Sequence, residues 1–254
     1  MSALRDGWWW AVGTLTVLPT GRFDTSPAAA RVMIMVAPFA VLPLALLAGA
    51  ATLAGRVLGA PDLIVGLLVV GLLVAGTRAM HVDGLADVAD GFGGGWTPER
   101  ARELLKRGDI GPMALVALVV SLGLQVVAVG ELVREPRGWL LVIGTVVLSR
   151  WAFALCCRQD VPAMPGSDLG HALAGRLPTA LAMVCVVGIV GGCALLGWYA
   201  GESAWRGAQI GLAALVVVLW LINRSKRVFG GVNGDVMGAS IELAMTTMLI
   251  GWAL

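Results

Sequence analysis

Apolar residues in this chain are grouped into long runs, and the polar residues lie mainly between those runs. A helix that crosses the hydrocarbon layer of a membrane needs roughly 20 predominantly apolar residues. Seven runs approach that length, at about residues 31–53, 63–77, 112–132, 139–157, 179–199, 207–222 and 236–254. The pattern therefore predicts an all-α fold, a polytopic membrane bundle in which about seven transmembrane helices form a single domain over residues 1–254.

Two prolines, Pro38 and Pro43, interrupt the first of these runs. Proline removes a backbone hydrogen-bond donor, and its ring clashes with the preceding turn of a helix. We therefore expect the first span to be kinked near these positions.

Composition agrees with a membrane protein. Hydrophobic residues make up 58% of the 254 residues and charged residues only 13%, whereas about a quarter of a soluble domain is charged. The four cysteines fall in or at the ends of apolar runs, and with two histidines in the chain there is no ligand set for zinc, so we expect buried, unpaired thiols. The net charge of +2 says little about partners, and no nucleic-acid partner is expected.

The distribution of lysine and arginine predicts the orientation of the spans. With the N-terminus inside, 13 of the 18 basic residues lie in inside segments, 4 lie in outside loops and 1, Arg150, lies within a span. An excess of basic residues marks the cytoplasmic side. The sequence thus predicts a multi-pass protein of the cytoplasmic (inner) membrane with its C-terminus outside and its polar active-site loops facing the cytoplasm.

One polar stretch, residues 81–92, carries three carboxylates, those of Asp83, Asp87 and Asp90, at spacings of four and three. On a helix this spacing places them along one face. Hard oxygen ligands at that density suit Mg²⁺ or Mn²⁺, which usually retain waters and substrate phosphates as further ligands. The alternative is a solvated acidic loop at the membrane surface.

A second polar group opens the last run. Asp235 and Glu242 are seven residues apart, so they lie two turns apart on one helical face. A carboxylate such as Glu242 is expensive within an apolar span unless it is paired, metal-bound or hydrated, which favours a functional role. The alternative is an interhelical hydrogen bond from protonated Glu242.

The remaining candidates are cations, an amide and a histidine. Basic side chains can hold phosphate, or they can act as topology determinants that face anionic lipid. Arg150 can bind phosphate, pair with Glu242 or extend its guanidinium to the membrane surface, and His81 can act as a general acid or base or only form a hydrogen bond in its loop. The candidates for holding phosphate or the bound nucleotide are Arg150, Arg224, Arg227, Asn233 and Lys106, the last also a catalytic candidate.

Together these residues suggest phosphoryl transfer, in which a metal ion and cations offset phosphate charge. The chain has no Walker loop, so nucleotide hydrolysis of that type is not expected. A cation transporter is the non-enzymatic alternative, but transport predicts carboxylates near the middle of several spans, and here most of them cluster at one side.

The chain resembles the cobalamin synthase family, the membrane-bound adenosylcobinamide-GDP ribazoletransferases. The motifs that carry the resemblance are His81-Val-Asp-Gly-Leu-Ala-Asp-Val-Ala-Asp-Gly, Leu105-Lys-Arg-Gly-Asp-Ile-Gly-Pro-Met and Gly230-Gly-Val-Asn-Gly-Asp-Val-Met-Gly-Ala-Ser-Ile-Glu-Leu. The resemblance implies that a hydroxyl of α-ribazole, or of its 5′-phosphate, attacks the cobinamide-side phosphorus of adenosylcobinamide-GDP. GMP leaves, adenosylcobalamin or its 5′-phosphate forms, and Mg²⁺ is required.

The same resemblance implies roles for individual residues. It makes Asp83, Asp87, Asp90 and Asp235 metal ligands, and it makes His81, Asp90, Lys106 and Glu242 catalytic candidates. Where many relatives have Asp-Ser-Arg-Ile-Gly, this chain has Arg107-Gly-Asp-Ile-Gly, so Arg107 and Asp109 receive no individual role.

A related reading is a CDP-alcohol phosphotransferase, whose motif begins like Asp87-x-x-Asp90-Gly. That motif continues differently from Phe92-Gly-Gly-Gly here. The sequence leaves the oligomeric state open, with a homo-oligomer possible.

Overall fold

The computed structural model describes residues 2–94, 96–105 and 109–254, which form a bundle of α-helices. In chain order these are α1 (Ala3–Leu15), α2 (Pro27–Ala40), α3 (Leu42–Leu58), α4 (Asp62–Gly76), α5 (Met80–Gly94), α6 (Pro98–Leu104), α7 (Pro112–Arg134), α8 (Gly138–Ser149), α9 (Asp168–Leu173), α10 (Thr179–Ala200), α11 (Ala204–Val228) and α12 (Gly234–Ala253), with a 3-10 helix at Ala152–Leu155.

Six segments are long and apolar enough to cross a membrane, and the pair α4 and α5 would make a seventh that is bent by 90°. The six are α2 with α3, α7, α8 with the 3-10 helix, α10, α11 and α12. The prediction of an all-α membrane bundle with about seven spans is therefore confirmed.

The first span bends where the prolines predicted. Helix α2 ends at Ala40 with Pro38 inside it, and α3 begins at Leu42 with Pro43 in its first turn. Val41 separates the two helices. The kink follows because neither proline can donate the backbone hydrogen bond that would continue a regular helix.

Helix α1 is an element that the hydropathy pattern did not predict. The chain leaves α1 in an extended conformation that returns along it, and the rings of Trp10 and Phe23 stack with their centroids 6.3 Å apart. At the tip of this hairpin the amide of Val17 donates to the carbonyl of Gly76 over 2.9 Å, and the guanidinium of Arg78 donates to the carbonyl of Gly13. The hairpin therefore braces the end of α4.

The break between α4 and α5 depends on two consecutive left-handed residues. Arg78 and Ala79 have φ angles of 55° and 57°, a region that costs energy for residues with a Cβ. The amide of Ala79 donates to the carbonyl of Val74 over 2.8 Å, which fixes the turn. The sequence predicted a polar surface loop after the second run, but the structure redirects the chain here into helix α5.

Most charged side chains lie at one of the two ends of the bundle. At one end Arg134 pairs with Asp62 over 2.5 Å and Arg206 pairs with Glu202 over 2.9 Å. Helix α12 ends at this end of the bundle, where Leu254 shares a cavity with Arg134 and Arg206. We call this the opposite end, and we call the end that holds the aspartates of α5 the carboxylate end.

Candidate functional site

The site is built on close contact between α5 and the start of α12. A methyl group placed on Gly84 would lie 2.6 Å from the carbonyl oxygen of Asp235, and one on Gly238 would lie 3.1 Å from the Cα of His81. Only glycine leaves room for two helix backbones at this distance. The sequence therefore brings together two acidic motifs that lie far apart along the chain.

The carboxylates of these motifs repel one another. Asp87 is half-buried, and Asp235, Asp83 and Asp90 all lie near enough to oppose its negative charge. Asp83 likewise opposes the charge of Asp235. Such an arrangement favours a bound cation or a protonated carboxyl group, because like charges in a partly buried site destabilise each other.

A groove of about 430 Å³ lies beside these carboxylates, between α5 and the chain leading into α7. Asp83 and Asp87 line one side of it, and Asp109 lines the other. Sequence analysis assigned no role to Asp109, because its motif departs from the pattern of the family. The groove has room for a phosphate group and its counter-ion beside the aspartates.

The donor set fits Mg²⁺ better than a metal held by protein alone. In the ranges that the structure describes, no three His, Cys, Asp or Glu side chains converge closely enough to hold a metal ion. Mg²⁺ is usually bound by one or two carboxylates, with waters and substrate phosphates completing its octahedron. Asp83 and Asp87 line the open groove and Asp235 lies near them, so one or two of these carboxylates can bind the ion in that mode.

Asp90 has a different position from the other three aspartates. Its Oδ2 accepts from the amide of Gly111 over 2.6 Å, and its Oδ1 accepts from the amide of Ala114 over 2.9 Å. These amides belong to the first turn of α7, which otherwise has no side-chain cap. Asp90 therefore caps the start of α7, while its expected metal-ligand and catalytic roles stay predictions, because each of its oxygens keeps a second lone pair.

Asn233, expected to contact the bound nucleotide, is buried and holds the second motif in place. Its Oδ1 accepts from the amide of Val236 over 3.0 Å, which caps α12, and its Nδ2 donates to Oδ2 of Asp235 over 2.5 Å. Asn233 thus orients Asp235 at the start of its helix.

His81 and Glu242 meet deeper in the bundle. Both are buried, and Nδ1 of His81 lies 4.0 Å from Oε1 of Glu242. The other oxygen of Glu242 accepts from Nε2 of Gln125 over 2.9 Å, and the same nitrogen donates to Thr246. Gln125 was not singled out in the sequence, since a single amide in an apolar run does not reveal what it faces.

Arg150, expected to hold phosphate or pair with Glu242, is fully buried. Its guanidinium donates to Oγ of Ser149 over 2.8 Å and approaches the sulfur of Met245 at 3.9 Å. Its charge acts on Glu242 and His81 without a direct hydrogen bond to either. This position supports the interior charge network and is remote from phosphate in the open groove.

Most of the other predicted cations lie at the surface of the carboxylate end. Arg224 and Arg227 are exposed, and Arg224 lies over the ring of Phe92 at 5.6 Å from its centroid. The prediction for Lys106 falls on residues 106–108, outside the described ranges. Nearby, Arg158 hydrogen-bonds to Asp160 over 2.8 Å and holds the pKa of that carboxyl below its usual range.

Comparison with known proteins gives consistent matches over almost the whole chain. Residues 7–253 match the family described as Cobalamin-5-phosphate synthase. A protein of Nocardioides sp., named adenosylcobinamide-GDP ribazoletransferase, is 41% identical over 98% of this chain and 99% of its own length. Proteins of the same name from Corynebacterium efficiens and Frankia casuarinae are 35% and 32% identical, over 98% and 93% of this chain and 91% and 90% of their own lengths. No solved structure matches the chain significantly.

Proposed function

This chain belongs to the Cobalamin-5-phosphate synthase family, and we propose that it is the transferase that joins the adenosylcobinamide phosphate of adenosylcobinamide-GDP to α-ribazole or its 5′-phosphate. The products are GMP and adenosylcobalamin or its 5′-phosphate. The structural observation that carries this proposal is that the contact of α5 with α12 brings Asp235 near Asp87, while Asp83 and Asp87 line an open groove.

The reaction exchanges one phosphorus–oxygen bond for another. The acceptor hydroxyl attacks the cobinamide-side phosphorus, the bond from that phosphorus to the GMP oxygen breaks, and the hydroxyl proton is lost to a base. Carboxylates that are crowded by like charge make suitable proton acceptors at the groove. Whichever of Asp87 and Asp235 does not bind the metal ion is the candidate for that role.

We assign Mg²⁺ binding to the group Asp83, Asp87 and Asp235, of which one or two carboxylates would contact the ion directly. The bound ion would neutralise charge on the diphosphate and on the GMP leaving group. Asn233 fixes the carboxylate of Asp235, and the cap that Asp90 places on α7 fixes the wall of the groove. These contacts therefore hold the carboxylate of Asp235 and the wall of the groove in place before the substrate binds.

We propose that the carboxylate end faces the cytoplasm of a bacterial inner membrane. The four arginines that the charge rule assigned to outside loops lie at the opposite end. There Arg56 donates to the carbonyl of Arg134, and Arg137 donates to the carbonyl of Tyr199. The exposed Arg224 and Arg227 lie at the carboxylate end, as an excess of inside positive charge requires.

The test is release of GMP from adenosylcobinamide-GDP by the purified protein in nanodiscs, with α-ribazole present or omitted and with Mg²⁺ present or chelated. We expect turnover only when acceptor and Mg²⁺ are both present. Asp87→Asn and Asp235→Asn should each lower turnover by more than about 100-fold, the upper range for disturbing the shell around a metal. Absence of a corrinoid product from the wild type under any divalent ion would refute the proposed function.

The matched control is Asp160→Asn, which removes an exposed carboxylate at the same end of the bundle. Asp160 is paired with Arg158 away from the groove, so its loss should leave turnover close to that of the wild type. Near-normal turnover in both Asp87→Asn and Asp235→Asn would refute the assignment of these carboxylates to the metal site. It would leave the proposed reaction standing.

A further inference from the structure

An apolar cavity of about 30 Å³ lies beside the carboxylates but is separate from the groove. It is enclosed by the tip of the α1 hairpin, by α2, α9 and the 3-10 helix, and by the start of both α5 and α12. Within the described ranges its lining has no Asp, Glu, Lys or Arg side chain. A phosphate group or a guanine base would lose its polar partners in such a cavity, so it suits an uncharged apolar group.

Two polar side chains line this cavity, those of Thr14 and His81. His81 is 2% exposed, and within the part of the chain that the structure describes neither ring nitrogen has a hydrogen-bond partner. Buried imidazoles are normally hydrogen-bonded, so this histidine needs a partner that a ligand can supply. Nδ1 lies on the side of Glu242, so Nε2 is the nitrogen that a ligand would meet once the cavity widens to admit it.

The neutral imidazole of His81 can present a donor at Nε2. In the tautomer whose proton is on Nε2, Nδ1 keeps its lone pair and lies 4.0 Å from Oε1 of Glu242. The N–H at Nε2 then needs an acceptor. A flat heteroaromatic ring with an imine-type nitrogen provides such an acceptor together with an apolar body.

The position of the cavity limits which substrate group can use it. Met80 and His81 line it from the turn of α5 that precedes Asp83, and Gly234 lines it next to Asp235. A ring held there therefore lies within one nucleoside length of the carboxylates. Ribazole is a nucleoside of a substituted benzimidazole, and this base is an apolar, planar heterocycle with one imine nitrogen.

We propose that this cavity binds the base of the acceptor nucleoside, with Nε2 of His81 donating to its imine nitrogen, an inference that rests on the proposed function. A dry cavity that admits benzene has a volume near 150 Å³, so the cavity must widen when the ring enters. Three methionines, Met33, Met80 and Met237, line it, and methionine adapts its shape readily. Met80 is 38% exposed and forms the mouth.

The experiment measures binding of α-ribazole to the protein in nanodiscs by equilibrium dialysis, which does not depend on turnover. Met80→Trp should close the mouth and raise the Kd for α-ribazole about tenfold or more, while leaving the Kd for adenosylcobinamide-GDP unchanged. Met80→Ala should accept a nucleoside with a bulkier base that the wild type excludes. Equal effects of Met80→Trp on both substrates, or none on either, would overturn the proposal.

A second arm isolates the hydrogen bond. The wild type should bind α-ribazole about fivefold to tenfold more tightly than the matching indole nucleoside, which has carbon in place of the imine nitrogen. His81→Leu should abolish that preference, and His81→Gln, which keeps a donor, should retain part of it. A preference that persists in His81→Leu contradicts the proposal even if the variant has lost turnover.

The outcomes separate this proposal from the proposed function and from a lipid ligand. If the wild type forms product but substitutions of Met80 and His81 do not change acceptor binding, the proposed function stands and the base site is refuted. If detergent or phospholipid displaces α-ribazole and the indole nucleoside equally, and in proportion to its concentration, the cavity binds an acyl chain instead.

Discussion

Individual side chains in this site differ in role although they are alike in chemistry. Asp83, Asp87 and Asp90 have the regular spacing of one helical face, and the sequence treated them alike. The structure gives Asp90 to the first turn of α7 and leaves Asp83 and Asp87 beside the groove. The spacing predicted a shared face but could not predict the division of roles, because a cap depends on which helix begins nearby in space.

Replacing Asp90 should affect stability before it affects metal use. Asp90→Ala removes the side-chain acceptor of two amides at the start of α7, so the free energy of unfolding should fall by about 1–2 kcal/mol. Thermal unfolding in detergent checks this, and the Mg²⁺ concentration that gives half-maximal turnover should not change. A large rise in that concentration for Asp90→Asn, at wild-type stability, would restore Asp90 to the metal site.

The hydrogen bond that Gln125 donates to Glu242 should contribute to the stability of the protein. Gln125→Leu keeps the volume but leaves Oε2 of Glu242 without its donor, which should cost about 1–3 kcal/mol. The melting temperature should fall, whereas Gln159→Leu, at an exposed position, should have little effect. An unchanged melting temperature in Gln125→Leu would show that Glu242 finds another partner.

At the scale of helices, the hydropathy pattern located the long spans because each is apolar over most of its length. It did not predict α1, whose apolar run is interrupted by Arg5 and Asp6. It also did not predict that α5 lies within the bundle, because a run with three aspartates gives a weak hydropathy signal. The interleaved glycines were the informative residues, since they let α5 pack on α12.

The contact between α5 and α12 should tolerate no added methyl group. Gly84→Ala would place its Cβ 2.6 Å from the carbonyl oxygen of Asp235, so the two helices must separate and Asp235 must move from Asp87. We expect a cost of about 1–3 kcal/mol and a loss of GMP release. The control is Gly71→Ala in α4, where the added methyl group would meet no described atom within 4 Å apart from the adjacent backbone of its own helix. Wild-type turnover in Gly84→Ala would contradict the contact.

At the scale of the whole molecule, the two ends of the bundle can be distinguished by labelling. The native cysteines Cys156, Cys157, Cys185 and Cys193 are all buried, as the sequence predicted, so they should not react. In intact cells a membrane-impermeant maleimide should label Glu202→Cys and spare Asp160→Cys until the membrane is permeabilised. The reverse pattern would invert the proposed orientation.

The packing of α5 on α12 also sets an order for biogenesis. An aspartate near the middle of an inserted helix costs about 2.5–3.5 kcal/mol, so a nascent segment with three of them is poorly retained in lipid. Among the described helices, the one that accommodates this segment, α12, is synthesised after all the others. The proposed site can therefore form only after α12 has been synthesised, and we expect a chain that is truncated before this helix to lack activity.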